Sequence, residues 1–155
     1  MQRKYFFRIQ EQLFVAKKII KFETSNEYDF LLAGIICPYK DFRLCFELNI
    51  ALKLSFKREA DHTLHLGKPG AVANFSLFSD SNKFGEEFYL LGNKSTQAVL
   101  IPELMAFDYF LIIKNYGAYL DFKELVKKIK QIEMVSAINI LTASELKSAD
   151  HLIFD

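Results

Sequence analysis

The sequence predicts an α+β fold, a ferredoxin-like or ACT-like two-layer sandwich with about five to six mainly antiparallel strands and two main helices. Three observations indicate it. Short apolar runs typical of strands recur along the chain, and two segments place apolar residues at helical spacing. Residues 107–141 are also typical of a β-α-β unit, in which the connection between the two strands is almost always right-handed.

The first strand is expected over residues 28–37, a continuous apolar run whose length and β-branched residues favour burial. Pro38 ends it. Asp41 is then placed to cap a helix from Phe42 to about Leu52, because a carboxylate accepts hydrogen bonds from the free amides of a first helical turn. Residues three and four apart give this helix one apolar face: Leu44, Cys45, Leu48, Ala51 and Leu52.

The middle of the chain is expected to hold a short strand over residues 54–58 and a polar, turn-rich loop over 59–70. Residues 71–78 and 86–91 follow as two strands of a hairpin, joined by the turn-forming residues 80–83. The alternation along these strands predicts that four apolar side chains share one face: Phe75, Leu77, Phe88 and Leu90.

The second helix is expected between two further strands. Residues 107–113 are the most apolar strand of the chain, which predicts a central place in the sheet. Asp121 is a second helix cap, for a helix over residues 122–132 that turns four lysines outward. Residues 135–141 then read as the last strand.

Two helices would cover one face of such a sheet. The other face then needs a cover, which the N-terminal segment, a tail ending at residues 152–154 or a second subunit could provide. Residues 1–15 lack strong periodicity and are predicted to be an N-terminal extension, followed by a single α+β domain over residues 16–155.

Composition narrows the class of protein. The hydrophobic fraction of 51% and the charged fraction of 25% are typical of globular domains. A net charge of +1 argues against non-specific nucleic-acid binding, although the lysine-rich helix leaves a local basic patch open. No apolar run reaches the ~20 residues that cross a bilayer, and no signal peptide is evident, so we expect a cytoplasmic protein without a membrane partner. Its two cysteines, Cys37 and Cys45, should be reduced and buried.

One motif stands out at residues 101–109, which read Ile-Pro-Glu-Leu-Met-Ala-Phe-Asp-Tyr. It resembles the signature of the IPExxxVDY family, small Bacteroidota proteins, with Phe107 where the signature has Val. Residues 28–35 and 41–45 also resemble that family, so the likeness covers residues 16–154. The resemblance implies an uncharacterised protein without assigned chemistry.

Four residues are candidate binding residues: Arg43, Glu103, Asp108 and Tyr109. Two acids five residues apart at a strand entrance can serve acid–base chemistry or hold a cation. The structural alternative is a Glu103 that begins a helical turn after Pro102 and an Asp108 that accepts hydrogen bonds from the backbone or from Arg43. No nucleophile with a matching base accompanies them, so no catalytic residue is predicted and the sequence favours a protein that is not an enzyme.

Neither a metal nor another cofactor is expected. His62 and His65 form H-x-x-H in an extended or turn-rich stretch, and strand residues three apart point to opposite faces. Gly67 and Gly70 lack the Lys-Ser/Thr ending of a phosphate-binding loop.

The sequence therefore favours a non-enzymatic protein-interaction or regulatory module that contacts itself, as a homodimer, or another protein through a sheet face or edge. The alternative is an ACT-like module that binds a small molecule. A pocket lined by Arg43, Glu103 and Tyr109 would favour the alternative, and a large exposed aromatic patch would favour the interaction module.

Overall fold

A computed structural model describes residues 28–154, which form eight strands and two helices. The strands are β1 (Leu31–Ile36), β2 (Lys57–Arg58), β3 (His62–His65), β4 (Val72–Phe75), β5 (Leu77–Ser81), β6 (Glu87–Gly92), β7 (Tyr109–Lys114) and β8 (Ala137–Leu141). The helices are α1 (Asp41–Leu52) and α2 (Phe122–Lys130), and short 3-10 turns lie at Pro102–Leu104, Ala143–Glu145 and Ala149–Leu152. The predicted N-terminal extension, residues 1–15, lies outside the described residues.

Six strands form one antiparallel sheet in the order β2-β5-β6-β7-β1-β8, while β3 and β4 pair separately. Both β7 and β8 run antiparallel to β1, which lies between them, so β7 and β8 are parallel to each other. With α2 connecting them, they make the split β-α-β unit of a ferredoxin-like fold. The predicted α+β class is confirmed.

The predicted central strand is β7, which lies between β6 and β1. Four consecutive residues of it are fully buried: Phe110, Leu111, Ile112 and Ile113. Leu111 and Ile113 pack on the helix side, and Phe110 and Ile112 pack on the other side. Because the strand is covered on both faces, its sequence is a continuous apolar run rather than an alternating one.

The two helices lie side by side on one face of the sheet. Leu44 and Leu48 of α1 and Ile129 of α2 are buried against the helix-facing residues of the strands. Asp121 is confirmed as the cap of α2, since its Oδ1 accepts a hydrogen bond from the Glu124 amide at 3.1 Å. This face has the predicted helix cover.

The start of α1 differs from the prediction by one residue. Asp41 is already helical, and the capping position belongs to Lys40, whose side chain makes no capping hydrogen bond. The Asp41 Oδ1 accepts only from the amide of the next residue, Phe42, at 2.7 Å. Backbone hydrogen bonds to the Lys40 carbonyl close the first turn instead. The predicted cap is therefore wrong, because the chain reaches helical conformation one residue early.

The opposite face is covered by β3 and β4, by the loop between β6 and β7, and by the chain after β8. Leu152 is fully buried there, and the Phe154 ring packs edge-on against Tyr89 with centroids 5.0 Å apart. The sequence offered three possible covers for this face: the N-terminal segment, the tail or a second subunit. Among residues 28–154, the structure shows the tail in this place. It adds a layer opposite the helices.

The predicted strand over residues 71–78 divides at Ser76 into β4 and β5, which belong to different sheets. In the β5–β6 hairpin, Leu77 pairs with Leu91. This register places Leu77 on the face of the sheet opposite the helices, here called the tail side. A shared face for Phe75, Leu77, Phe88 and Leu90 was therefore a wrong prediction: the first two pack on the tail side and the last two on the helix side. A register change of one residue reverses the face of every side chain.

Candidate functional site

The four candidate binding residues lie in three separate surroundings rather than in one site. Asp108 and Tyr109 line a cleft at the end of β1 and the start of β7. Arg43 lies on the outer side of α1, with its guanidinium carbon 4.7 Å from the centre of the Tyr39 ring. Glu103 binds the tail.

Asp108 holds the end of β1 in place. Its Oδ2 accepts a hydrogen bond from the Cys37 amide at 2.8 Å, and its Oδ1 pairs with the Lys94 ammonium at 2.8 Å. Of the two predicted partners, the backbone donor is present, whereas the cation paired with Asp108 is Lys94 and not Arg43. Lys94 follows β6, which neighbours β7 in the sheet, whereas Arg43 extends from the outer side of α1.

Glu103 clamps the chain after β8. It lies in the helical turn predicted after Pro102, which is a 3-10 turn in the structure. Its two carboxylate oxygens accept hydrogen bonds from the amide and the hydroxyl of Ser148 at 2.7 and 3.0 Å. Slight burial raises the pKa of this carboxyl, but the hydrogen bonds led by Ser148 outweigh it and hold the pKa below its ordinary value. This arrangement matches the structural alternative for Glu103.

Tyr109 fixes the turn between β1 and α1. Its hydroxyl donates a hydrogen bond to the Tyr39 carbonyl at 2.6 Å. Burial, followed by the nearby Asp41 carboxylate, raises the pKa of the phenol well above its ordinary value. The hydroxyl therefore stays protonated and serves as a hydrogen-bond donor.

The cleft beside Asp108 has a volume of about 370 Å³, near the lower end for small-molecule sites. Its charged lining is mixed and consists of Lys40, Lys94, Asp41 and Asp108. Within residues 28–154, no three His, Cys, Asp or Glu side chains lie close enough together to hold a metal ion. Both oxygens of Asp108 already have partners from the chain itself.

Replacing Asp108 tests this arrangement. Asp108→Ala should lower the free energy of unfolding by about 1–2 kcal/mol, because the buried Cys37 amide loses its acceptor. Lys94→Ala should cost less than about 1 kcal/mol, since that ion pair is partly exposed to water. Urea denaturation followed by circular dichroism measures both. A coupling between Asp108 and Arg43, rather than Lys94, would contradict the observed pairing.

Asn93 was missed by sequence reasoning, although it is fully buried at the end of β6. Its Nδ2 donates hydrogen bonds to the carbonyls of Leu104 at 3.0 Å and Phe107 at 2.8 Å. Its Oδ1 accepts from the Ile101 amide at 2.9 Å. The Asn93 side chain thus binds the backbone at Ile101, Leu104 and Phe107, all within the motif at residues 101–109.

Part of the outer side of α1 is apolar, as is its inner side. Phe42, Phe46 and Ile50, here called the α1 stripe, are 60%, 63% and 63% exposed and recur every four residues. The buried Leu44 and Leu48 each lie two residues further along, about 200° round the helix. Soluble helices usually expose a polar face, and a helix that is apolar on opposite sides is usually buried.

On α2, by contrast, the solvent side carries lysines, among them Lys127, Lys128 and Lys130, and the helix is clearly amphipathic. The two helices share one face of the sheet, so the difference does not come from the layer in which they lie. The α1 stripe is thus a specific property of α1.

No helix within residues 28–154 has the length and apolarity to cross a bilayer. A scan of protein-family models, a search of curated proteins and a search of solved structures each found no match for this chain. The resemblance of residues 101–109 to the IPExxxVDY signature stays a prediction.

Proposed function

We propose that this protein is a non-enzymatic protein-interaction module that binds its partner through the α1 stripe. The observation that carries the proposal is the exposure of Phe42, Phe46 and Ile50 directly opposite the buried side of the same helix. Removing such side chains from water stabilises a complex by roughly 25 cal/mol for each Å² of apolar surface that is covered. Covering the stripe with a partner protein is therefore favoured over leaving it exposed to water.

The charges around the stripe favour a protein over a membrane surface. Both signs of charge lie near the stripe, with Glu47 and Arg43 on α1 and Lys53 after the helix. A helix that lies on a membrane carries mostly Lys and Arg beside its apolar face. An apolar centre with a polar rim of both signs is the pattern of a protein–protein interface.

The helix replaces the sheet as the proposed contact surface. Both faces of the six-stranded sheet are covered by other elements, so the sheet face that the sequence suggested is not open. The small-molecule alternative required a pocket shared by Arg43, Glu103 and Tyr109. Of these three residues, Tyr109 alone lines the cleft beside Asp108. The small-molecule-binding module is therefore the second candidate function.

Site-specific photocrosslinking in the protein's own cells tests the proposal. A benzophenone amino acid at position 46 should give covalent adducts whose partner peptide is identified by mass spectrometry. The matched control is the same amino acid at position 127, on the exposed side of α2. Because Phe46 is mostly exposed, the substitution should leave the melting temperature nearly unchanged.

Adducts at position 46 but not at position 127 are the expected result. An absence of protein adducts at position 46, or equal labelling at both positions, would overturn the proposed interaction surface.

A further inference from the structure

We propose that the free edge of β8 binds an extended, acidic segment of a partner protein, which adds to the six-stranded sheet as a further strand beneath two lysines of α2. The surface is an edge of the sheet rather than one of its covered faces. It is separate from the α1 stripe, and binding there does not require the stripe.

The outer edge of β8 lacks a strand partner within residues 28–154. β8 is the last strand in the order β2-β5-β6-β7-β1-β8 and pairs only with β1. No other backbone segment in that range hydrogen-bonds to residues 137–141. The outward amides and carbonyls of β8 can therefore pair with the backbone of an added strand, which is how extended peptides bind to exposed sheet edges.

The two edges of this sheet differ in their protection. β2, at the opposite edge, has only two residues, Lys57 and Arg58, and both are exposed. Short length and charge keep an edge strand from pairing with another chain. β8 has five residues, Ala-Ile-Asn-Ile-Leu, without a charge or a proline, and Ile140 is 48% exposed. Of the two edges, β8 is therefore the one that can accept a strand.

The side of α2 above this edge is basic. α2 contacts β8, and its Ile129 points into the core. Glu124 and Lys128 line a groove shared with the end of α1, so they mark the side of α2 that faces the interior of the sheet. At about 100° per residue, Lys123 and Lys130 lie on the opposite side, above the outer edge of β8. An added strand would lie below these two lysines.

Positive and negative charges are separated around this edge. The acidic residues between positions 122 and 142 are Glu124 and Glu133. Each lines a groove shared with α1, away from the β8 edge. In the described part of the chain, neither Lys123 nor Lys130 forms an ion pair. The edge thus combines backbone hydrogen-bonding groups with two unpaired cations, and this combination favours an acidic strand.

The spacing of the two lysines specifies the pattern of the partner segment. Lys123 and Lys130 are separated by roughly 10 Å along the helix axis. Alternate side chains of a strand point to one face and repeat every ~7 Å. Asp or Glu at alternate positions, on the face of the added strand that lies toward α2, therefore matches the two lysines.

The same charges oppose other occupants of the edge. A second copy paired edge to edge about a two-fold axis would bring the lysines of both α2 helices together. Residues 1–27 of the same chain carry more basic than acidic side chains, so like charges oppose their addition as well. A nucleic acid would attract the lysines but would leave the backbone groups of β8 without a strand partner.

Titration of the isotope-labelled full chain, followed by amide NMR, tests the proposal. The probe is the blocked heptapeptide Thr-Glu-Val-Glu-Val-Glu-Thr, whose Glu residues share one face when it is extended. The shift changes should be largest at residues 137–141 and absent at Phe46. Two matched peptides, one with Lys in place of Glu and one N-methylated at every amide, should bind about tenfold more weakly, because they lose the charge attraction or the hydrogen bonds.

Two charge reversals on α2 check where the strand lies. Lys130→Glu, on the side above the β8 edge, should weaken binding of the Glu peptide about tenfold. Lys128→Glu changes the same charge in the same last turn of the helix, but on the side toward α1. It should change the affinity less than about twofold, because salt screens exposed charges at that distance. Equal losses in the two variants would contradict the placement beside β8.

Several other results would overturn the proposal. One is the absence of shift changes at about 2 mM Glu peptide. Others are equal binding of the N-methylated peptide, which would mean charge attraction without strand addition, and tighter binding of single-stranded oligouridine with the same dependence on Lys130. Hydrogen-exchange protection of the outward β8 amides in the free chain would show that residues 1–27 or a second copy already covers the edge. The α1 stripe is tested separately, by photocrosslinking at position 46.

Discussion

Asn93→Asp is expected to lower the free energy of unfolding by about 3–5 kcal/mol. The side chain is fully buried, and its Nδ2 lies 3.0 and 2.8 Å from the carbonyl oxygens of Leu104 and Phe107. The substitution places a carboxylate oxygen against these two acceptors. The Phe107 carbonyl loses the Asn93 donor, and the Leu104 carbonyl keeps only the hydrogen bond from the Phe107 amide. Urea denaturation followed by circular dichroism gives the value, since the chain has no Trp to report by fluorescence.

The matched control is Asn139→Asp on β8, where the side chain is exposed and the cost should stay below about 0.5 kcal/mol. The deficit of Asn93→Asp relative to wild type should also shrink at low pH, because a protonated carboxyl recovers one donor. A deficit below about 1 kcal/mol at neutral pH would show that the segment from Ile101 to Phe107 is held by other contacts.

Gly34→Ala is expected to cost about 3 kcal/mol, at the upper end for overpacking a core. Gly34 lies in the middle of β1, and a Cβ atom there would approach the Phe107 ring to 2.6 Å at Cδ1 and 2.8 Å at Cγ. The glycine therefore makes the space that this aromatic ring fills. Phe107 is also the position at which the motif departs from the signature that it resembles, where the residue is Val.

A double-mutant cycle with Phe107→Val tests the pairing. Phe107→Val alone should cost about 1–3 kcal/mol through lost packing. Added to Gly34→Ala, it should restore room for the new methyl group, so the double variant should be more stable than the sum of the two losses by about 1–2 kcal/mol. Additive losses would mean that the ring moves aside freely and that Gly34 is not fitted to Phe107.

The elements with a local signal were predictable from the sequence. The run from Phe110 to Ile113 identified β7 as a central strand, because a strand covered on both faces needs no polar alternation. Asp121 was predictable as a cap because the amide that it binds is only three residues away, at Glu124. In both cases the cause of the structure lies within one element.

Contacts between distant segments were not predictable. Asp108 could have paired with several cations, and the strand order, which no local pattern specifies, brought Lys94 rather than Arg43 to it. Asn93 binds backbone groups, which leave no trace in the sequence. The α1 stripe did have a signal, Phe42 and Phe46 followed by Ile50 at a constant spacing. One apolar face already accounts for a helix that packs on a sheet, so the second run of apolar residues was not predicted.

The sheet order also has a consequence for the order of events during synthesis and folding. β1 is the first described strand to be made, yet its neighbours are the last two strands of the sheet in the sequence. Gly34, for example, pairs with Phe110 on one side and Asn139 on the other. Contacts so distant in sequence slow folding, because a long loop must close before they form. An apolar β1 therefore stays unpaired on the growing chain until β7 and β8 exist, and this interval is when it is most exposed to aggregation.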